Sequence, residues 1–141
     1  MTRSIPNSRL PSRRLLAILM LAGVPAWCRP LPLEAAQPAC LMDGNWRMRF
    51  GGEYEGRLTF SPPRCRADLV LSSARNRTRQ SCAVFEGAEG EIGLVCQLVE
   101  TTSHAWRPDS FRLRQSGGEL TGSNDDGVVR FDDVRLTRER P

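Results

Sequence analysis

The sequence predicts an all-β fold, a closed up-and-down barrel of about eight antiparallel strands, from three observations. Apolar and polar residues alternate with a period of two in several short segments. Turn-forming pairs such as Gly51-Gly52 and Gly117-Gly118 separate these segments. No segment shows a convincing helical pattern. Consecutive antiparallel strands with short turns close most readily into a barrel, because closure removes the exposed sheet edges.

The first strand, predicted over 44–50, has the clearest alternation. Trp46, Met48 and Phe50 alternate with polar residues, so three large apolar side chains share one face. Gly44 allows the chain to turn sharply into the strand. We expect these three side chains to seal one end of the barrel, with Trp46 as its plug.

The remaining strands follow in chain order, each bounded by glycine, proline or polar residues. They are predicted at about 53–61, 65–73, 81–86, 91–100, 110–116, 119–124 and 128–137. The segment 74–80 is predicted to be a polar loop. The apolar phase changes between Phe131 and Val134, which predicts a β-bulge near Asp132 and Asp133.

Residues 1–36 are predicted to be a secretory signal peptide with a proline-rich linker, and 40–138 a single barrel domain. Arg residues precede an apolar run over 15–24, and small residues follow it. This run is about half the ~20 residues that a membrane-spanning helix needs. Cleavage is expected near residue 26 or at 35–36. The mature protein would be periplasmic or secreted, and its basic residues, all Arg, suggest a bacterial source.

The charge of the mature domain does not favour nucleic acid or a membrane as a partner. Five of the 20 basic residues and one of the 16 acidic residues lie within 1–36, which leaves 15 of each. A formally neutral domain has no general attraction for polyanions. We expect a monomer.

The cysteines predict two disulfides. Cleavage at 35–36 removes Cys28 and leaves an even four, which is typical of an exported protein. Cys82 and Cys96 both lie seven residues from Glu89, so a hairpin centred there places them opposite each other, at roughly 4.5–5.5 Å between Cα atoms. That register favours a Cys40–Cys65 bridge as the second, although four cysteines allow three pairings. With no CxxC motif and one His, we expect neither a metal nor a cofactor.

Gly44-Asn45-Trp46 on the first strand, with an Arg near the end of the last, resembles the calycin-type barrels: lipocalins, avidins and small periplasmic inhibitors of secreted metalloproteases. The resemblance implies that Trp46 closes the barrel bottom and that a late Arg, Arg138 or Arg135, packs over its ring. The export signal, the size and Trp106-Arg107-Pro108-Asp109 suggest the inhibitor branch. Those inhibitors have one disulfide and act through an N-terminal segment, which Cys40 would restrain here.

The connections after the first, third, fifth and seventh strands are predicted to meet at the open end, opposite Trp46. This end would gather the candidate ligand-binding residues Arg75, Arg77, Arg79, His104 and Trp106. Three Arg at alternate positions suit an anionic sugar or phosphate. We therefore expect a non-enzymatic binding module that meets a protein or a small anionic ligand at these loops.

A small hydrolase using His104 is the alternative from a different functional class. His104 is the only His, and Ser103 and Asp109 lie in the same connection. Three such residues can be drawn as a triad, but all belong to one connection, with no positioned nucleophile. None of the common hydrolase or nucleotide-binding motifs is present. We therefore assign no catalytic residue.

Overall fold

The protein is a closed antiparallel barrel of eight strands, which confirms the predicted fold. The computed structural model describes residues 37–141, so the predicted signal peptide, its cleavage sites and Cys28 lie outside the described residues. The strands are β1 (Gly44–Phe50), β2 (Tyr54–Ser61), β3 (Arg66–Ser72), β4 (Arg77–Glu86), β5 (Ile92–Thr101), β6 (Ser110–Ser116), β7 (Glu119–Asp125) and β8 (Arg130–Arg138). Each strand pairs with the next, and β8 returns to pair with β1.

The alternating apolar residues fill the barrel interior. Trp46, Met48 and Phe50 of β1 are all buried, and every other strand contributes inward-facing side chains. Leu58, Leu69 and other leucines of the middle layers are fully enclosed. An eight-stranded barrel has an interior that side chains can just fill. Below its open end, this barrel therefore has a packed core.

The residues before β1 close the lower end of the barrel together with Trp46. The Trp46 indole Nε1 donates a hydrogen bond to the Asp43 carbonyl at 3.0 Å. The Arg138 guanidinium carbon lies 5.7 Å from the centroid of the Trp46 ring, and Arg138 Nη2 donates to Asp43 Oδ1 at 2.8 Å. Arg138 thus covers the ring, whereas Arg135 faces Glu119. The plug is held by one cation–π contact and two hydrogen bonds.

Both predicted disulfides are present. Cys82 lies opposite Cys96 in the β4–β5 ladder, as the hairpin register predicted, although their Cα atoms are 3.9 Å apart, closer than expected. Cys40 lies in a short 3-10 turn, Ala39–Leu41, and forms its bridge with Cys65 at the β2–β3 turn. The Cys40–Cys65 bridge therefore links the segment before β1, at the lower end of the barrel, to the β2–β3 turn. Two disulfides are typical of proteins in an oxidising environment outside the cytosol.

The predicted loop over 74–80 is wrong beyond residue 76, because β4 begins at Arg77. Thr78 and Gln80 are polar, yet both point into the barrel and are buried. The Thr78 hydroxyl donates to the Glu100 carbonyl at 3.0 Å, which satisfies it inside the barrel. Inward-facing polar residues made this part of the strand look like a solvated loop.

The predicted bulge in β8 is confirmed. Gly122 pairs with Val134 and Asn124 with Phe131, so Asp132 and Asp133 together lie opposite Ser123. The extra residue changes the direction of the local side chains. Asp133 Oδ2 accepts a hydrogen bond from the Gly51 N–H at 3.0 Å, which attaches β8 to the β1–β2 hairpin at the open end.

Candidate functional site

The four connections after β1, β3, β5 and β7 meet at one end of the barrel and border a pocket of about 240 Å³. This end lies opposite the Trp46 plug, as predicted from the alternation of the strands. The volume is a little below the ~300–1,000 Å³ of pockets that hold drug-sized ligands. The open-end pocket therefore has room for a small molecule or for one chemical group of a larger partner.

Aromatic rings form one wall of the open-end pocket. The rings of Phe50 and Tyr54 stack with centroids 4.9 Å apart, and the Phe131 ring lies 5.4 Å from Phe50 and 5.5 Å from Tyr54. Trp106 meets Tyr54 edge to face at 6.0 Å, and Phe111 supports Phe50 from below. Offset and edge-to-face pairs are the favoured aromatic arrangements. We call Phe50, Tyr54, Trp106 and Phe131 the aromatic wall.

The position of Phe50 corrects the prediction that it seals the same end as Trp46. It lies four residues further along β1, and a strand rises about 3.3 Å per residue. The two side chains are therefore separated by about 13 Å along the strand. Trp46 closes the bottom, and Phe50 belongs to the wall of the open-end pocket.

Asp109 lies at the base of the open-end pocket, where the residue is only 4% exposed. Its Oδ2 accepts hydrogen bonds from Gln80 Nε2 and, at 3.3 Å, from the Trp106 indole Nε1. Its Oδ1 accepts from Asn124 Nδ2 at 2.8 Å. The Asp109 backbone N–H donates to Gln80 Oε1 at 3.0 Å. These contacts fix the carboxylate and also orient Trp106 in the aromatic wall.

The Asp109 carboxylate has donors around it but no positive partner. Within residues 37–141, no Arg forms an ion pair with it. All three side-chain donors are neutral N–H groups, so both oxygens act as acceptors. The base of the pocket therefore holds a buried negative charge that the protein does not neutralise.

The structure brings one of the five predicted ligand-binding residues into the open-end pocket, namely Trp106. Arg75 is exposed in the β3–β4 connection. Arg77 and Arg79 lie on the outer face of β4 and line a separate groove of about 190 Å³, where Arg79 pairs with Glu100 at 3.3 Å. His104 is exposed in the β5–β6 connection and does not line the pocket. An anionic ligand bound by the three Arg stays a prediction.

The triad drawn from the sequence is not assembled. Among the described hydrogen bonds, none joins His104 to Ser103 or Asp109. The Asp109 carboxylate instead binds Gln80, Trp106 and Asn124. The Ser103 hydroxyl accepts the Ala105 N–H at 3.2 Å, as in an ordinary turn.

Sequence reasoning missed the polar base of the pocket and most of the aromatic wall. Asn124 is the last residue of the strand predicted over 119–124, where it continues the inward phase of Leu120 and Gly122, but no buried partner was assigned to it. A polar residue at an inward position was the available signal, because such a residue needs a buried partner. Tyr54 and Phe131 also lie at inward positions next to turns, where a strand leaves the packed core.

The environment of Tyr54 adds to the electrostatic description of the pocket. Burial raises the pKa of its phenol above the ordinary value of 10.0, and the nearby carboxylates of Glu53, Asp126 and Asp109 raise it further. A negative neighbourhood opposes phenolate formation. The Tyr54 phenol of the aromatic wall therefore lies among carboxylates.

The Tyr54 pKa can be measured directly, because Tyr54 is the only Tyr in the chain. We expect phenolate absorbance in the folded protein to appear with a midpoint above 10, and in denaturant at about 10. Because the folded-state pKa is the higher one, the unfolded chain loses its proton first. The unfolding free energy should therefore decline as the pH rises from about 10 through the folded-state pKa.

A matched variant and a contrary result complete this test. Glu53→Gln removes one carboxylate and should lower the folded-state midpoint while leaving the denatured one unchanged. Equal midpoints in the folded and denatured protein would show that the phenol is neither buried nor surrounded by negative charge.

Residues 37–141 contain neither a candidate metal site nor a candidate membrane-spanning helix. No group of three or more His, Cys, Asp or Glu in that part of the chain is placed to hold a metal ion. No helix there has the length and apolar character needed to cross a membrane. Comparisons of the chain with protein-family models, with curated proteins and with solved structures find no match.

Proposed function

We propose that this protein is an exported, non-enzymatic binding module that receives its partner in the open-end pocket. The observation that carries the proposal is the aromatic wall above the fixed Asp109 carboxylate. Concave sites with apolar walls and a few convergent polar groups are the usual form of ligand pockets. The rings are held by one another and by the Asp109 network, so little order has to be created on binding.

Export to the periplasm or the exterior is part of the proposal. The two disulfides support an oxidising environment, and the basic and apolar N-terminal pattern supports a signal peptide. A relationship to the calycin-type barrels is supported by the eight strands and by Arg138 over Trp46 of the Gly-x-Trp motif. The protease-inhibitor alternative requires a free N-terminal segment, whereas at the start of the described residues Ala39 and Met42 are buried and Cys40 is bridged.

The proposal is tested with indole, a small neutral aromatic probe, titrated into the ¹⁵N-labelled protein. We expect amide shifts to concentrate in the connections around the open-end pocket. Trp106→Ala removes one face of the aromatic wall and should weaken indole binding about five- to tenfold, which corresponds to the ~1–1.5 kcal/mol of one aromatic pair.

Phe85→Leu is the matched control. Phe85 is 46% exposed on the outer face of β4, so the change removes an aromatic ring away from the open end. Indole affinity should be unchanged in this variant. Shifts spread over the outer barrel face, or an affinity indifferent to Trp106→Ala, would refute binding at the open end.

A further inference from the structure

We propose that the open-end pocket selects an organic cation, an alkylated ammonium group that contacts the aromatic wall above Asp109. This inference rests on the proposed function, because it requires the pocket to be a binding site. It differs from the anionic ligand that the sequence predicts, and it follows from three features of the described residues.

The first feature is the balance of charge at the pocket. Its lining includes two carboxylates, Asp109 and Asp126, and one guanidinium, that of Arg107. Arg107 is exposed, so water screens its charge, whereas Asp109 is almost fully buried. Charges interact more strongly where water is excluded, so the buried carboxylate dominates the field inside the pocket. A cation entering the pocket would supply the positive partner that Asp109 lacks.

The second feature is the aromatic wall itself. The face of an aromatic ring carries negative charge density, and a cation within about 6 Å of the ring centroid is attracted to it. Tyr54, Trp106 and Phe131 are only partly buried, so the wall is accessible from the pocket. Alkylated ammonium groups suit such a wall, because their methyl or methylene groups lose little hydration on contact with rings.

The third feature is that the donors around Asp109, at the base of the pocket, are already in use. The side-chain amides of Gln80 and Asn124 and the indole N–H of Trp106 all donate to Asp109. An anion would have to take donors away from a buried carboxylate and then lie beside it. The Asp126 carboxylate also accepts backbone N–H groups, those of Val128 and Val129, at 2.8 Å each. At Asp109 and Asp126 the arrangement therefore disfavours an anion and favours a cation.

The test compares choline with 3,3-dimethylbutan-1-ol, a neutral molecule of nearly the same shape in which carbon replaces nitrogen. Both are titrated into the ¹⁵N-labelled full-length mature protein at neutral pH. We expect choline to bind at least fivefold more tightly, with shifts around the open-end pocket. Added NaCl should weaken choline binding and leave the neutral isostere unchanged.

Two nearly isosteric variants locate the charge responsible. Asp126→Asn keeps an oxygen for the Val128 and Val129 N–H groups, so the turn should stay folded. This variant should lower the affinity for choline about three- to fivefold, because it removes one negative charge that water screens only in part. The affinity for the neutral isostere should not change. Asp109→Asn should have the larger effect on choline, and its fold is checked first by its amide spectrum. If Asp109→Asn does not fold, Asp126→Asn alone decides.

The outcomes separate this inference from the proposed function. Equal affinity for the two isosteres, or a choline affinity unchanged in the folded variants, would overturn the inference that charge selects the ligand. The proposed function would stand in that case if indole still bound at the open end. Loss of all three probes from the open end would overturn both.

Discussion

Replacing Asp109 with Ala should lower the unfolding free energy by about 2–4 kcal/mol. The substitution leaves the amide donors of Gln80 and Asn124 without their acceptor inside the barrel. Each buried donor that loses its partner costs about 1–3 kcal/mol, and water entering from the pocket offsets part of this. Urea denaturation followed by circular dichroism measures the loss.

Asp109→Asn is the control for this prediction, because it keeps the shape and one acceptor oxygen. The decrease in unfolding free energy for Asp109→Asn should be about half that for Asp109→Ala. The ranking depends on hydrogen bonding alone, since both variants remove the charge. An Ala variant as stable as the wild type would mean that the carboxylate does not organise the base of the pocket.

Gly122→Ala should destabilise the barrel by about 3 kcal/mol or more, or prevent folded protein from accumulating. A Cβ at this position would overlap the backbone carbonyl of Arg112 on the neighbouring strand β6. Overpacking usually costs about 1–3 kcal/mol, and it costs more where the obstructing atom is backbone that cannot change rotamer. The same denaturation experiment, or the yield of soluble protein, reports the effect.

Ser123→Ala is the neighbouring control, since it changes a partly exposed residue next to Gly122 without adding volume. Its stability should lie within about 0.5 kcal/mol of the wild type. A Gly122→Ala protein that folds with normal stability would show that β6 and β7 are further apart at this point than the structure has them.

The sequence predicted the strands and the disulfides because these depend on local regularity. Alternation and turn residues fix which residues of a hairpin lie opposite each other, and this is how Cys82 was matched with Cys96. The bulge at Asp132 and Asp133 was visible for the same reason, as a change of phase. The predicted strand over 81–86 was shorter than β4 because the first inward residues of β4, Thr78 and Gln80, are polar.

The chemistry of the pocket was less accessible to sequence reasoning, because its contacts join residues far apart in the chain. Gln80 and Asp109 are 29 positions apart, and Asn124 is another 15 beyond Asp109. The local sequence around any one of these residues does not indicate that it contacts the other two. The three Arg were prominent in the sequence because they are close together, yet strand geometry places Arg77 and Arg79 on the outer surface.

The two disulfides have a consequence for how this barrel can open. Cys40–Cys65 lies at the bottom, and Cys82–Cys96 lies between β4 and β5 below the level of Gln80. Neither bridge reaches the connections of the open end, so fraying there breaks no covalent link. Local unfolding can therefore begin at the connections of the open end while the disulfide-linked base keeps the strands in register. The barrel thus combines a covalently linked base with an open end that only non-covalent contacts hold together.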